Sequence, residues 1–252
     1  MATSAILEKG LELLSLFAKH AGPISISELS TSANLSTSTV YRYLATLRAQ
    51  GYIKADTKPG HYLLGLKILE LAQAIKRETS ISLALPVMEN LASQTGESVL
   101  LCGRWGEKGM CLEKIEGQHN LRVSYMYGVP FYLHAGATGK VLLAYLDDEE
   151  AEQVIRKGGL PAFTENTITD PEQLKADLKE IKRAGFALST SEMHEGVTAI
   201  AAPIFNRRER VEADLSIGIP VHRFAQCDKA NVIDLVVSGA KEISEKLKLY
   251  DI

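Results

Sequence analysis

Apolar residues recur at intervals of three, four and seven along residues 3–20, and this spacing predicts an amphipathic helix. Gly22-Pro23 ends that helix, because proline cannot continue it. A short second segment follows over 26–33, with Ser25 or Ser27 available as its N-cap. Residues 34–36 then predict a tight turn into the next helical pattern.

The third helical pattern runs from about Thr37 to Gln50 and stops before Gly51, a residue type that commonly follows a helix. Two short strands are predicted after it, at 52–55 and 61–64, on either side of a Pro-Gly turn. Three helices and then a β-hairpin are the arrangement of a winged helix-turn-helix.

The two faces of the third helix differ in chemistry. One is apolar (Val40, Tyr43, Leu44 and Leu47) and is expected to pack on Leu14, Phe17 and Leu29. The opposite face carries Ser38, Tyr41, Arg42, Ala45 and Ala49. Its hydroxyls, aromatic ring and arginine suit contacts with base edges and phosphates in a major groove. From the periodicity alone, a purely structural bundle or a protein-contact module stays an open alternative.

The remainder of the chain alternates predicted helices and strands. Helical spacing over 65–79 predicts a segment that links two domains and buries one side in a dimer. Later helices are expected at about 80–94, 138–146, 148–157, 171–184 and 228–249. Later strands are expected at 99–104, 109–115, 121–127, 186–189, 197–205 and 211–219. An antiparallel sheet with flanking helices predicts an α+β domain large enough to enclose a small molecule.

Composition places the chain among ordinary globular proteins, with 252 residues, 46% hydrophobic and 23% charged. No apolar stretch approaches the roughly 18 residues that cross a bilayer, and the first residues lack a secretory signal pattern. Cys102, Cys111 and Cys227 form no CxxC pair. These features predict a protein of the reducing cytoplasm with no membrane partner.

The net charge of −3 conceals an asymmetry along the chain. Residues 1–77 hold nine Lys/Arg and five Asp/Glu, a net +4, whereas residues 78–252 carry a net −7. The basic first third indicates that only the N-terminal part meets a polyanion such as DNA.

No motif makes a positive case for catalysis. The stretch from His134 to Val141 is superficially similar to a phosphate loop, but His134 and Val141 replace residues that loop requires. Gly136 and Gly139 instead predict a tight turn into a helix whose first amides face a small ligand, such as a carboxylate. The cysteines and histidines lack the spacing of a local zinc site, so no metal or cofactor is expected. The polar stretch from Ser189 to Glu195 has no matched nucleophile and is interpreted as a loop.

Several stretches together resemble the isocitrate lyase regulator (IclR) family of bacterial transcription factors. In the first third the similar segments are 7–14, the third helix at 35–44, and the wing at 51–53 and 62–65. In the remainder they are 133–140, 166–169, 195–197 and 200–205. They follow one another in the family's order across nearly the whole chain.

The resemblance implies a two-domain fold class: an N-terminal winged helix-turn-helix, mainly α with a β wing, and a C-terminal α+β GAF-like effector-binding domain. It also implies the DNA-facing residues Thr37, Ser38, Thr39, Tyr41 and Arg42, with Lys58 and His61 on the wing. The implied effector-binding residues are Ala137, Thr138, Gly139, Ser189, Glu192, Val197, Ala199, Ser216 and Gly218. Family members bind operator DNA as dimers or dimers of dimers, and a small metabolite, often an organic or sugar acid, alters that binding.

Departures from the family pattern change two expectations. Ser36-Thr37 stand where the family often has Pro-Lys, which removes one cation and predicts a shallower salt dependence. Ala199, Ser189 and Gly218 stand where a cysteine, an acid and a serine are common. The altered set of donors and acceptors predicts an effector other than glyoxylate or pyruvate, to which some members respond.

We therefore expect a winged helix-turn-helix over 1–65, a linker helix over 66–79 and an effector-binding domain over 80–252. The expected function is ligand-modulated binding to double-stranded operator DNA by a homodimer or dimer of dimers. The alternative is an enzyme acting on a small acid, with the N-terminal unit as a dimerisation module. The identity of the effector, the operator and the direction of regulation lie beyond sequence reasoning.

Overall fold

The computed structural model describes residues 4–20, 22–78 and 80–250, which fall into two units, Met1–Arg77 and Glu78–Ile252. The first unit holds three helices, a small sheet and most of a fourth helix. Its elements are α1 Ala5–Ala18, β1 Ile24–Ser25, α2 Ile26–Ala33, α3 Thr37–Ala49, β2 Ile53–Ala55, β3 His61–Leu64 and α4 Leu66–Glu78. Residue 79, the last of the predicted linker helix, lies outside the described residues.

Local chemistry explains why α2 and α3 begin where they do. The Ser25 hydroxyl accepts from the Glu28 amide while the Glu28 carboxylate accepts from the Ser25 amide, a capping box that selects Ser25 over Ser27. Asn34 has a φ of 52°, which makes the tight turn, and Ser36 caps α3 by accepting from the Thr39 amide.

A small core holds these three helices together. Leu13, Leu29, Val40 and Leu44 are all buried in it, with Leu14, Tyr43 and Leu47 packed around them. The predicted core face of α3 is thus correct, although Leu13 is the fully buried leucine of α1 and Leu14 is not. One strand was not foreseen: Ile24 pairs with Tyr62, so β1 makes the wing a three-stranded sheet of order β1-β3-β2.

The second unit is a six-stranded antiparallel sheet with helices on both faces. Its strands are β4 Ser98–Trp105, β5 Lys108–Ile115, β6 Phe131–Tyr132, β7 Ala187–Thr190, β8 Val197–Phe205 and β9 Val211–Pro220, in the order β6-β5-β4-β9-β8-β7. Its helices are α5 Ser80–Thr95, α6 Gly136–Ala144, α7 Asp148–Gly158, α8 Pro171–Ala184, α9 Val221–Phe224 and α10 Lys229–Tyr250.

Alternation along β9 separates the two faces of this sheet. Leu215, Ile217 and Ile219 belong to the larger core, which includes buried residues of α5 and α10. Asp214, Ser216 and Gly218 point to the other face by the same alternation. That second face is covered in part by α6, whose Thr138 hydroxyl donates to Ser216 at 3.0 Å. We call it the α6 face.

The strand predicted at 121–127 is wrong, because this segment is irregular. It crosses the α6 face instead of joining an edge, and β6 takes the edge of β5 through the pairs Lys108–Tyr132 and Gly109–Phe131. The alternation that suggested a strand has another cause: Val123 lies against Gly218, Tyr125 packs on Cys102 and Cys111, and the Tyr127 hydroxyl donates to Glu113. We call residues 121–127 the covering segment.

Most other predicted elements are present with ends shifted by one or two residues, and 26–33, 61–64, 171–184 and 197–205 match α2, β3, α8 and β8. The short helix α9 was not foreseen. Within the described ranges, no helix combines the length and apolar character needed to cross a membrane.

Candidate functional site

The exposed face of α3 carries most of the residues expected to contact DNA. Thr37, Ser38 and Arg42 are exposed, and Tyr41 retains 53% of its surface. The Arg42 guanidinium lies 6.0 Å from the ring centre of Tyr43 and is otherwise directed to solvent. Two hydroxyls and an arginine on one exposed turn can donate to phosphates and to guanine O6 and N7.

Thr39 differs from its neighbours on this helix. Its side chain is half-buried, and its hydroxyl lies 2.8 Å from that of the N-cap residue Ser36. Thr39 is therefore already engaged in holding the first turn of α3.

The two predicted wing residues occupy different environments. Lys58 is exposed in the turn between β2 and β3. His61 is half-buried, and its Nδ1 lies 3.0 Å from the carbonyl oxygen of Pro59. The wing thus offers one free cation, Lys58, among its two predicted contact residues.

Four of the predicted effector residues meet in one patch on the α6 face. Strand register places Ser189 opposite Ala199 and Ala199 opposite Gly218, and directly opposed residues share a face of a sheet. Ser216 pairs with Ala201 one step along. Val197 lies at the end of this patch, opposite Pro220.

The first turn of α6 borders this patch. Ala137, Thr138 and Gly139 are all buried there. A Cβ on Gly139 would lie 2.7 Å from the Tyr132 carbonyl oxygen, so only glycine permits this close approach. Ala137, Thr138 and Gly139 are among the first four helical residues, whose amides have no acceptor within the helix.

The Glu192 carboxylate is already paired within the chain, whereas the sequence predicted that it binds the effector. Its carboxylate accepts from the Gly136 amide at 3.1 Å and from the Lys140 ammonium at 2.6 Å. The Lys140 ammonium, buried to 98%, also contacts Asp177 at 2.9 Å. Glu192 therefore caps α6 from within the chain, and Lys140 is directed into this ion cluster.

Sequence reasoning missed Asp214, which lies on the same face as Ser216 and Gly218 and is fully buried. Burial raises the pKa of its carboxyl well above the ordinary value, and the nearby Ser216 and Thr138 hydroxyls act in the opposite direction. The alternation of 214, 216 and 218 within a predicted strand was the available signal. Asp214 lies outside the segments that resemble the family.

Two cysteines border Asp214 on neighbouring strands. Cys102 is opposite Asp214 on β4 and opposite Cys111 on β5. The hydrogen bond with Cys111, together with burial, raises the pKa of Cys102 well above its usual value. Across the described part of the chain, no three His, Cys, Asp or Glu side chains are placed to hold a metal ion.

A helix-turn-helix with an exposed polar third helix, joined in one chain to an α+β domain, is typical of a DNA-binding transcriptional regulator with a second, separate domain. Two family models match: "IclR helix-turn-helix domain" over residues 6–57, and "Bacterial transcriptional regulator IclR C-terminal" over residues 72–245. The chain belongs to the IclR family of bacterial transcriptional regulators. The resemblance and the fold class expected from the sequence are both confirmed.

Similar proteins agree with this assignment. The chain is 34% identical over 240 residues to the HTH-type transcriptional regulator KipR of Bacillus subtilis, covering 95% of each protein. It is 29% identical to the crystal structure of the Thermotoga maritima IclR, with a TM-score of 0.75, covering 96% of this chain and 98% of that one. These relatives are named as regulators, so the enzyme alternative is set aside.

A third relative was solved with a small molecule. This IclR homolog from Microbacterium hydrocarbonoxydans, complexed with 4-hydroxybenzoate, is 25% identical to the chain. It has a TM-score of 0.87 and covers 97% of this chain and 100% of that one.

Proposed function

We propose that this protein binds a pseudo-palindromic operator as a homodimer or dimer of dimers, and that an organic or sugar acid in the C-terminal domain modulates this binding. The observation that carries the DNA part is the exposed face of α3, where Ser38, Tyr41 and Arg42 surround one helical turn. Thr37, Thr39, Lys58 and His61 complete the proposed DNA contacts. Symmetric dimers present two such helices to two half-sites.

The domain organisation of the proposal follows the expected boundaries. A DNA-binding domain over 1–65 is joined by a linker helix at 66–79 to the effector domain at 80–252. Exposed leucines support a dimer contact through the linker helix, since Leu66, Leu69 and Leu71 retain 80%, 56% and 44% of their surface.

The effector part rests on the patch formed by Thr138, Ser189, Ala199, Ser216 and Gly218 on the α6 face. Ala137 and Gly139 add backbone amides that suit a carboxylate, and Val197 and Glu192 lie at the margins. Because the polar groups differ from those common in the family, we expect glyoxylate and pyruvate at micromolar concentrations to leave the melting temperature unchanged. Stabilisation by either acid would contradict that part of the proposal.

Genomic capture tests the DNA part of the proposal. The protein is incubated with sheared DNA of its own genome, and the bound fragments are sequenced. We expect a few enriched sites with inverted symmetry, because a two-fold dimer reads two equivalent half-sites. No enrichment at any salt concentration, with and without a metabolite extract, would overturn operator binding.

Arg42→Ala then tests whether Arg42 contacts a base of the operator. We expect a loss of about 1–3 kcal/mol that is specific to the operator if Arg42 contacts a guanine. Arg48→Ala is the matched control, since Arg48 is exposed in the last turn of the same helix. Equal losses for both variants, measured by fluorescence anisotropy on operator and unrelated DNA, would contradict a role for Arg42 in base recognition.

A further inference from the structure

Asp214 is an acid that the fold of the second unit does not use. It is completely buried on β9, and within the described residues neither carboxyl oxygen has a partner in good hydrogen-bond geometry, although the Ser216 and Thr138 hydroxyls are near enough to lower its pKa. A buried polar group without a partner costs free energy, and a buried charge costs more. Packing alone would favour an apolar residue here, so the acid requires another explanation.

The groups that face Asp214 supply no positive charge. Cys102 lies opposite it on β4, Cys111 follows on β5, and Tyr125 packs on both cysteines from the covering segment. On the α6 side lie the hydroxyls of Thr138 and Ser216, which hydrogen-bond to each other. Asp214 is therefore surrounded by thiols, hydroxyls and a phenol.

The nearby cation is already neutralised. Lys140 contacts Glu192 at 2.6 Å and Asp177 at 2.9 Å, so one ammonium serves two carboxylates. An effector with several acidic groups would add negative charge beside Asp214 with no described cation left to balance it. A ligand that carries a positive charge or a hydrogen-bond donor would give the Asp214 carboxyl a partner.

We propose that Asp214 receives a nitrogen donor of the effector, an amino or amidino group, so that the effector is an amino-substituted acid rather than a plain oxo or hydroxy acid. This inference rests on the proposed function, because it places the ligand on the α6 face. The ligand carboxylate lies toward the first amides of α6, and its nitrogen lies toward Asp214. The two ends of such a zwitterion match the unpartnered Asp214 carboxyl and the α6 amides that follow the Gly136 amide capped by Glu192.

Ligand entry also requires a movement of the chain. The covering segment, with Val123 against Gly218, must shift to admit the ligand. Burial raises the pKa of the Asp214 carboxyl, and a cationic nitrogen beside it would act in the opposite direction by stabilising the carboxylate.

Matched ligand series test this inference on the full chain by thermal unfolding. The probes are alanine, lactate and pyruvate, then glutamate, 2-hydroxyglutarate and 2-oxoglutarate, and then 4-(aminomethyl)benzoate and 4-(hydroxymethyl)benzoate, each at about 10 mM to reveal weak binding. We expect an amino member to raise the melting temperature more than its oxygen analogues do. Asp214→Asn should weaken that ligand by about 10- to 100-fold.

Glu212→Gln is the control variant, since it removes an exposed carboxyl from the same strand and should leave the ligand shift unchanged. If Asp214→Asn fails to fold, calorimetry of the unmodified protein compares the affinities of the amino and oxygen members of each series. An oxygen analogue that binds as tightly as its amino counterpart would overturn the inference.

Three other outcomes would also overturn it: stabilisation by oxygen analogues alone, an equal response in Asp214→Asn, or no response to any probe. None of them bears on operator binding, which genomic capture tests separately. Failure of this inference and failure of the proposed function are therefore distinguishable.

Discussion

At the scale of single residues, Asp214 links stability to pH. Its folded-state pKa lies well above the ordinary 3.8, so between these values the unfolded chain is ionised while the folded protein keeps its proton. The contribution of this carboxyl to stability is present below about pH 3.8 and is lost as the pH rises to the folded-state pKa. The facing groups that titrate, Cys102, Cys111 and Tyr125, are neutral over the acidic part of that range.

We predict that Asp214→Asn becomes increasingly stabilising relative to the unmodified protein as the pH rises above about 4, by at most about 1.4 kcal/mol per pH unit. The gain levels off above the folded-state pKa. Urea denaturation at pH 4, 5, 6, 7 and 8 measures the difference, with Glu212→Gln as the exposed control. A difference that is constant over this range would contradict the prediction.

At the scale of elements, the N-terminus of α2 depends on one hydroxyl. The Ser25 side chain accepts from the Glu28 amide at 3.2 Å, whereas Ser27 is exposed within the helix. We predict that Ser25→Ala lowers the free energy of unfolding of the first unit by about 0.5–2 kcal/mol. Ser27→Ala, the same change two residues away, should have a much smaller effect in the same denaturant titration. Equal losses would show that the cap contributes nothing specific.

The covering segment depends on the absence of a side chain at 218. A Cβ there would lie 2.8 Å from a methyl group of Val123. We predict that Gly218→Ser, which restores the residue common in the family, costs about 1–3 kcal/mol because it overpacks this contact. In a Val123→Ala background the cost should fall, and a double-mutant cycle by denaturation measures the difference. The same cost in both backgrounds would place the effect elsewhere.

At the scale of the whole molecule, α4 exposes leucines that a monomer would not need. We predict that Leu69→Glu weakens dimer formation and, with it, operator affinity, because a charge would be buried in the contact. Gln173→Glu adds the same charge at an exposed polar position of α8, outside the proposed contact, and is the control. Sedimentation velocity and operator titration give the two readouts. Dimers of undiminished affinity in Leu69→Glu would contradict a contact at this position.

Sequence reasoning succeeded for elements whose signals are local in sequence, and it failed where the outcome depends on residues far away in the chain. Helices such as α3 and α8 were predicted because their caps and apolar stripes are local in sequence. The covering segment was predicted as a strand between turns, yet among its side chains only Val123 is fully buried. Whether the backbone of such a segment pairs at a sheet edge depends on where β6 lies, which no local pattern encodes.

The sequence by itself determined the family, the fold class, the helix-turn-helix and the exposed chemistry of α3, because these depend on short-range periodicity and ordered motifs. Only the tertiary structure decided which side chains meet. It engaged Glu192 with Lys140 and Gly136, placed Val123 over Gly218, and enclosed Asp214 without a partner. These contacts join residues from about 50 to more than 90 positions apart, and their energies depend on burial, which is a property of the folded chain.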